Sequence, residues 1–161
     1  MTLPKTRTWQ EVLDDPNLQD LPYKIELDEK GQLLMGAATN VHGRLQSRIN
    51  DFLRDHLPEW VRITECSIMT SKGVRVADVA SCSVERDESQ AEDLFTTAPE
   101  ICVEIISPSN RPNEIKQKIG LYLAAGALEV WTCSLQGEFK FFVESGELER
   151  SVLAPGFPAK I

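Results

Sequence analysis

The amino-acid sequence predicts a protein of the α/β class. Its expected arrangement is α+β, with a mixed β-sheet flanked by helices. The first observation behind this prediction is a short continuous apolar run, ICVEIIS at residues 101–107, which is typical of a central strand. The second is a helix pattern after that run followed by another strand pattern, the order of two parallel strands joined by a crossover helix. The third is that strand-like segments upstream come in neighbouring pairs, as in antiparallel hairpins.

The size and composition of the chain indicate the broad class of protein to which it belongs. With 161 residues, we expect a single domain over residues 1–161, whose core extends from about residue 20 to about residue 155. A hydrophobic content of 42% and a charged content of 26% are ordinary for a soluble globular protein. No run approaches roughly 18 consecutive apolar residues, and the first residues lack the apolar core of a signal peptide. We therefore expect a cytoplasmic protein without a membrane-spanning helix.

The four cysteines, Cys66, Cys82, Cys102 and Cys133, form no CxxC pair. Structural zinc sites usually need such close pairs, so these cysteines are expected to be small buried side chains in a reducing compartment. The formal net charge of −8 argues against a protein that grips nucleic acid by its overall charge, although it leaves room for a locally basic face.

The first half of the chain predicts a helix, a hairpin and a longer helix. Thr8 and Glu11 fit a capping box, which predicts a short helix over residues 9–15. YKIEL at 23–27 and QLLM at 32–35 flank a four-residue loop and predict a β-hairpin. Apolar residues then recur at helical spacing up to Leu57, after a cap at Thr39 or Asn40.

The second half predicts strands and one more helix. The helix is expected from Pro112 to about Ala125, because Pro suits a first helical turn and Gly126 suits the residue after the last one. The acidic run at 85–93 is expected to be a solvated loop or a short helical turn. Strands are expected at 61–70, 74–84, 101–107, 129–135 and 138–144, with a weaker one near 150–153.

Two carboxylates lie in apolar surroundings. Asp78 stands in VRVADVAS and Glu104 in ICVEIIS, and Asp is disfavoured within strands. Burying an unpaired carboxylate costs several kcal/mol even after relaxation, so each requires a cation or a metal ion. Two neighbouring carboxylates from adjacent strands are hard oxygen ligands of the kind that Mg²⁺ takes. Two alternatives stay open: Glu104 could point to solvent, and Asp78 could cap a turn or pair with Arg75.

A lysine on the following helix is placed to meet these carboxylates. At about 100° per residue, Lys118 lies about 60° from Ile115, beside the apolar stripe that should pack on the sheet. Because this helix follows the Glu104 strand directly and folds back over it, Lys118 can reach the sheet. In the alternative interpretation, Lys118 extends to solvent and pairs with Glu114 one turn earlier.

Three further residues are candidates for supporting roles. On the long helix, Arg48 lies about 20° from Val41 in projection, within the predicted apolar stripe, and could balance a carboxylate or meet a phosphate. His42 lies near the start of the same helix, and Glu26 lies in a strand between two apolar residues. Each of the three also has an ordinary structural interpretation, as a packing, capping or surface residue.

Several segments together resemble a known family. The segments are YKIEL, GQLLM, HGRLQSRINDFL, RVADVA, PEICVEIISPSNR and EIKQKIGLYLAAGALEVW, which cover about residues 20 to 135. They resemble the Uma family (Uma-two) of restriction-endonuclease-like proteins within the PD-(D/E)XK nuclease superfamily. The most specific part is Glu104 with Ser107-Pro108-Ser109, followed by Glu114, Lys118 and Tyr122.

The resemblance implies a restriction-endonuclease-like fold with Mg²⁺, or Mn²⁺, bound by Asp78 and Glu104. It also implies that Lys118 is the catalytic lysine, moved onto the helix from a strand position that Ile106 occupies here. Nucleic acid, expected to be DNA, would be the substrate, and a homodimer is expected. The sequence departs from the family pattern at Ala77, where relatives carry Pro, and at Glu114, where they tend to carry Asp.

The sequence therefore supports two hypotheses from different classes. The first is a metal-dependent endonuclease in which Asp78, Glu104 and Lys118 act together, with Glu26, His42, Arg48 and Glu114 as supporting candidates. The second is a non-catalytic interaction or regulatory protein that keeps the fold and uses the carboxylate–lysine cluster as a structural ion network. The net charge favours the second hypothesis, and the complete set of catalytic residue types favours the first.

Overall fold

The computed structural model describes residues 6–161 and shows a mixed sheet flanked by helices, as the sequence predicts. The helices are α1 (Trp9–Leu13), α2 (Asn40–His56), α3 (Val84–Glu88) and α4 (Pro112–Ala124), with a 3-10 turn at Pro16–Leu18. The strands are β1 (Tyr23–Asp28), β2 (Leu33–Ala37), β3 (Val61–Thr70), β4 (Gly73–Cys82), β5 (Ile101–Ile106), β6 (Glu129–Ser134), β7 (Phe139–Val143) and β8 (Gly146–Leu148).

The strand order is β2-β1-β4-β5-β6-β7-β8, and β3 pairs with the other edge of β4. β5 and β6 are parallel and are joined through α4, which confirms the predicted strand–helix–strand unit. The other pairs of named strands are antiparallel, including the predicted β1–β2 hairpin. The sheet is therefore mixed because one helical crossover joins two parallel strands among antiparallel pairs.

One edge of β4 is shared by two strands, and this arrangement creates the candidate site. β1 pairs with β4 at Gly73 and Val74, and β5 pairs with it at Val79–Ser81. Residues 75–78 of β4 take part in neither ladder, whereas β3 pairs along the opposite edge. We call this opening, beside residues 75–78, the strand gap.

Helices cover both faces of the sheet. The apolar residues Leu45, Ile49 and Leu53 of α2 pack on the face that also carries a cluster of aromatic side chains. That cluster consists of Trp131, Phe139, Phe141 and Phe157. On the other face, α4 contributes the fully buried Tyr122, which belongs to the same apolar cluster as Cys66, Cys82 and Cys102. All four cysteines are buried and free, as predicted.

Helix α1 begins as predicted but ends earlier than the predicted residue 15. The capping box is present, because the Thr8 side chain accepts from the Glu11 N–H and the Glu11 side chain accepts from the Thr8 N–H. The helix ends at Leu13 because Asp15 instead caps the following 3-10 turn, with its carboxylate accepting from the Asn17 N–H. A side chain that caps a new turn competes with continuation of the helix.

The strand predicted near residues 150–153 is wrong, and the structure shows the physical reason. The last strand is β8, and the N–H groups of Val152 and Leu153 bind the buried carboxylate of Glu129 instead of a neighbouring strand. The same carboxylate accepts from Ser151 Oγ and from Trp131 Nε1. Glu129, at the start of β6, therefore fastens the C-terminal segment to the sheet, and no cation among residues 6–161 pairs with it.

Among residues 6–161, no helix is both long and apolar enough to cross a membrane. The longest, α2, is amphipathic, with a buried stripe on one side and polar residues on the other.

We predict that Glu129→Gln lowers the free energy of unfolding by about 2–4 kcal/mol, because in either orientation the amide NH₂ would face two of the four donors. Chemical denaturation monitored by tryptophan fluorescence measures this loss. Glu147→Gln, on the exposed face of β8, is the matched control and should change stability by less than about 0.5 kcal/mol. Equal stability of the two variants would contradict the role assigned to Glu129.

Candidate active site

The candidate site fills the strand gap with ionisable side chains. Asp78 on β4 and Glu104 on β5 occupy opposite positions next to the last paired residues, Val79 and Val103. The side chains of both are buried, with exposed fractions of 1% and 8%. The alternative that Glu104 points to solvent is thereby excluded. The arrangement brings the two predicted carboxylates to one place.

The Asp78 carboxylate contacts a lysine, a histidine and a backbone N–H group of the sheet. One carboxylate oxygen, Oδ1, lies 2.9 Å from Lys24 Nζ and 3.0 Å from His42 Nε2. The other, Oδ2, accepts a 2.7 Å hydrogen bond from the backbone N–H of Ile105. Asp78 thus bridges β4 to β5 beyond the end of their ladder, which is a different role from the turn cap or the Arg75 pair that the sequence left open.

Glu104 is bound on both carboxylate oxygens. Its Oε1 lies 3.1 Å from Lys118 Nζ and accepts a 2.7 Å hydrogen bond from the hydroxyl of Tyr122. Its Oε2 lies 3.5 Å from Lys24 Nζ. Because Lys118 and Tyr122 are one turn apart on α4, that helix presents two donors to the same oxygen.

Lys118 faces inward, as the helical projection predicts. Its ammonium lies 2.7 Å from Glu26 Oε1 and 3.1 Å from Glu104 Oε1, and its side chain is 15% exposed. Glu26 is therefore part of the cluster, and its Oε1 also accepts from the Val76 N–H inside the strand gap. The alternative pairing of Lys118 with Glu114 does not occur: Glu114 is exposed, and its carboxylate lies at the start of α4 near the N–H of Arg111.

Lys24 is a site residue that the sequence reasoning missed. It lies on β1 two positions before Glu26, and residues two apart in a strand share a face. Once Glu26 was a candidate, this alternation was the signal that could have identified Lys24. Its ammonium contacts both Asp78 and Glu104, so it connects the two predicted metal ligands.

Glu65 on β3 is a second residue that was missed. It lies opposite Asp78 and adopts a positive φ of 53°, which is uncommon for a residue other than glycine. Its Oε1 accepts a 2.6 Å hydrogen bond from Gln46 Nε2, and the same nitrogen donates to the Asp78 carbonyl at 3.0 Å. No apolar flank or helical spacing marks Glu65 in the sequence, because its placement depends on this local backbone conformation.

A metal ion has two possible sets of ligands here, and they share Asp78. Asp78 Oδ1 and Glu104 Oε2 both point at one position, which the Lys24 ammonium occupies. Within residues 6–161, one group of three metal-binding side chains has its ligand atoms within 4.8 Å of one another: His42, Glu65 and Asp78. Carboxylate oxygens suit Mg²⁺ and Mn²⁺, and a histidine nitrogen favours Mn²⁺ or another transition metal. The donor set therefore fits a divalent cation.

Arg48 does not join the cluster, so it does not balance a buried carboxylate, and its predicted contact with a phosphate stays a prediction. It is exposed, and it makes no hydrogen bond or ion pair with any residue in 6–161 that would hold it at the site. The predicted stripe used Val41 as its reference, but Val41 is itself 39% exposed. The buried residues of α2 are Leu45, Ile49 and Leu53, and Arg48 lies about 100° from their mean direction.

The surroundings move the pKa values of the two central carboxyl groups in opposite directions. Burial raises the pKa of Glu104 to about 7, although Lys118 and Lys24 oppose this shift. Burial also disfavours the charge on Asp78, but its hydrogen bond with His42 and the ammonium of Lys24 outweigh burial and hold its pKa well below the usual range. Such divergent pKa values in one cluster are typical of functional sites.

The chain is similar to a known protein family and to a solved structure. The sequence model of the Uma2 family, described as "Putative restriction endonuclease", matches residues 9–149. A crystal structure from Anabaena variabilis, described as "a putative nuclease belonging to DUF820", is similar with a TM-score of 0.66 and 19% sequence identity, over 91% of this chain and 90% of that chain. No curated protein gives a match. At this identity the structural similarity supports the fold, which is restriction-endonuclease-like.

We predict that Tyr122→Phe lowers the free energy of unfolding by about 1–2 kcal/mol, because it removes the buried donor to the Glu104 carboxylate. Tyr23→Phe is the matched control, since the only other tyrosine in the chain is 47% exposed. Thermal unfolding of the two variants in parallel tests this. An equal midpoint for both would show that the Tyr122 hydroxyl contributes nothing.

We also predict a pH-dependent contribution of His42 to stability. The hydrogen bond with Asp78 raises the pKa of His42 in the folded protein, despite partial burial. The stabilisation is therefore complete below about pH 6 and is lost as the pH rises through the folded pKa.

Denaturation of wild type and His42→Gln in chelator, at several pH values, should show a stability difference that shrinks from acidic to alkaline pH. In an Asp78→Asn background this pH dependence should disappear. A difference that is constant with pH would contradict the charged pair.

Proposed function

The chain belongs to the Uma2 family, and from this premise we propose that it is a metal-dependent endonuclease with Asp78, Glu104 and Lys118 as its catalytic residues. The observation that carries the proposal is the convergence of Asp78 Oδ1 and Glu104 Oε2 on one position inside the strand gap, with the Lys118 ammonium beside Glu104. Mg²⁺ or Mn²⁺ is the proposed cofactor, and nucleic acid, expected to be DNA, is the proposed substrate.

The cation would be held by Asp78 and Glu104, with His42 close enough to support it through Asp78 Oδ1. When bound, such an ion supplies a Lewis acid for a phosphate oxygen and lowers the pKa of a water molecule. Asp78 stays ionised over the whole neutral range because its pKa is held low. It is therefore the carboxylate of the pair that needs no deprotonation to hold a cation, whereas burial raises the pKa of Glu104 to about 7.

In this proposal Lys118 acts on the substrate. Its ammonium is fixed by two carboxylates, Glu26 and Glu104, so it is oriented before the substrate arrives. A fixed cation beside the metal ligands stabilises the negative charge that develops on a phosphate during hydrolysis. The ammonium has a third N–H, which can position the attacking water. Glu26 then serves as a positioning residue for Lys118.

The second hypothesis, a non-catalytic interaction protein, also has a specific observation in its favour. Three carboxylates of the site, Glu26, Asp78 and Glu104, are already matched by Lys24, Lys118 and His42. A structural ion network needs no more than this. However, a buried ion network is often no more stabilising than apolar residues of similar volume, so stability alone is a weak reason to place one in a sheet.

The remaining expectations belong to the same proposal. They are a homodimer, a single domain over the chain and a cytoplasmic location, which the resemblance and the composition suggest. Neither the cleavage chemistry nor the choice of ligands depends on them.

We predict that the protein cleaves members of a mixed DNA and RNA panel in Mg²⁺ or Mn²⁺, and that Asp78→Asn, Glu104→Gln and Lys118→Met each reduce the rate by at least about 100-fold. Asp55→Asn and Lys116→Met are the controls, since both residues are exposed, and Lys116 lies on the same helix as Lys118. Circular dichroism establishes that each variant is folded.

Calorimetric titration with Mn²⁺ separates the two ligand sets. If Asp78 and Glu104 hold the ion, Glu104→Gln weakens binding more than Glu65→Gln does. The reverse order would move the metal to His42, Glu65 and Asp78. A wild-type protein that neither binds metal nor cleaves any substrate would favour the interaction-protein hypothesis.

A further inference from the structure

Lys24 occupies the position on which the two proposed metal ligands converge. Its ammonium lies 2.9 Å from Asp78 Oδ1 and 3.5 Å from Glu104 Oε2, and the side chain is 16% exposed. Lys118, the other ammonium of the site, touches Glu104 and Glu26 but not Asp78. Of these two lysines, only Lys24 bridges the pair formed by Asp78 and Glu104, which we call the carboxylate pair.

We propose that the Lys24 ammonium is a placeholder for the divalent cation: it holds the carboxylate pair together until the cation enters, and it then leaves the strand gap. This inference rests on the proposed function, because it concerns the same two ligands. In this inference the Lys24 ammonium competes with the cation and thereby sets the metal affinity of the site. The ammonium becomes free when the metal binds.

The physical reason is the repulsion within the carboxylate pair. Two carboxylates in a buried gap cannot both stay ionised without a cation between them. Lys24 supplies that cation, and the carboxylates in turn raise its pKa above the usual range although burial acts in the opposite direction. An ammonium and a divalent ion that need the same two oxygens exclude each other, so they compete.

The neighbourhood of Lys24 provides a place to which the side chain can move. Its partner across the β1–β2 ladder is Gly36, and partners in such a ladder present their side chains on the same face. A Cβ atom added at Gly36 would meet no atom within 4 Å, so the space beside Lys24 toward the edge strand β2 is open. The flexible four-carbon stem of lysine can swing into this space without disturbing the sheet.

Once the cation has displaced it, the Lys24 ammonium lies at the edge of the site. Asp78 and Glu104 then bind the metal and no longer contact this ammonium. The ammonium then has the chemistry to meet a phosphate of a nucleic-acid strand. The same lysine would therefore disfavour metal binding and favour substrate binding, which couples the order of the two events.

The first experiment measures Mn²⁺ affinity by calorimetry for wild type, Lys24→Met and Lys118→Met. If the ammonium occupies the gap in at least about 90% of wild-type molecules, its removal strengthens the apparent affinity at least about tenfold. Lys118→Met is the matched control, because it also deletes one positive charge that contacts Glu104. If only the loss of one positive charge mattered, Mn²⁺ affinity would rise equally in Lys24→Met and Lys118→Met. If Lys24 is a placeholder, Mn²⁺ affinity rises selectively in Lys24→Met.

The second experiment uses the wild-type chain, so it does not depend on the folding of a variant. The protein is acetylated with an N-hydroxysuccinimide ester, and modification of each lysine is followed by peptide mass spectrometry. Saturating Mn²⁺ should increase the acetylation rate of Lys24 several-fold, because the released amine is more accessible and loses its carboxylate partners. Lys116, which is exposed, is the internal reference and should keep its rate.

The outcomes separate this inference from the function on which it rests. Mn²⁺ binding by wild type with equal affinity in Lys24→Met, or a Lys24 acetylation rate unchanged by bound Mn²⁺, overturns the placeholder and leaves the metal site in place. Absence of Mn²⁺ binding in wild type and in both variants overturns the proposed metal site itself. Selective strengthening together with increased Lys24 acetylation supports the placeholder.

Discussion

The constraint on which the site depends is the unpaired stretch of β4 between β1 and β5. Buried backbone N–H and C=O groups must find partners, and here they find side chains instead of a neighbouring strand. The Val76 N–H donates to Glu26, the Ile105 N–H donates to Asp78, and the Asp78 carbonyl accepts from Gln46. The carboxylates are therefore needed to complete the sheet, and a gap in the sheet is needed to admit them.

This double role explains how the sheet tolerates so much buried charge. Each carboxylate of the strand gap has a backbone or hydroxyl donor as well as a cation, so no carboxylate depends on one partner alone. The cations come from three different elements: Lys24 from β1, His42 from α2 and Lys118 from α4. The ion network thus joins the sheet to both covering helices. A substitution of any one member also alters the electrostatic surroundings of the others. Double-mutant cycles are therefore needed to separate their contributions to stability.

The sequence predicted those site residues whose placement follows from regular geometry. Asp78 and Glu104 stood out because apolar neighbours in a strand imply burial, and Lys118 stood out because helical spacing put it beside the buried stripe. His42 lies on the true stripe of α2, whereas Arg48 was misplaced because the exposed Val41 served as the reference. Lys24 followed from strand alternation with Glu26 and could have been found. Glu65 could not have been found, because its position depends on a positive φ that no local sequence pattern predicts.

The net negative charge of the chain is compatible with the proposed anionic substrate, because the attraction that the proposal requires acts at short range within the site. A cavity of about 340 Å³ beside Glu65 is lined by Asp87, Glu92 and Asp93, so this side of the site repels a phosphodiester and attracts divalent cations. The ammonium groups of Lys24 and Lys118 come from β1 and α4, and each contacts carboxylates of the site. In the proposed mechanism, a substrate phosphate meets these ammonium groups at short range and not through the overall field of the protein. A net charge of −8 does not oppose this arrangement, since short-range fields inside a desolvated gap exceed the screened field of distant surface carboxylates.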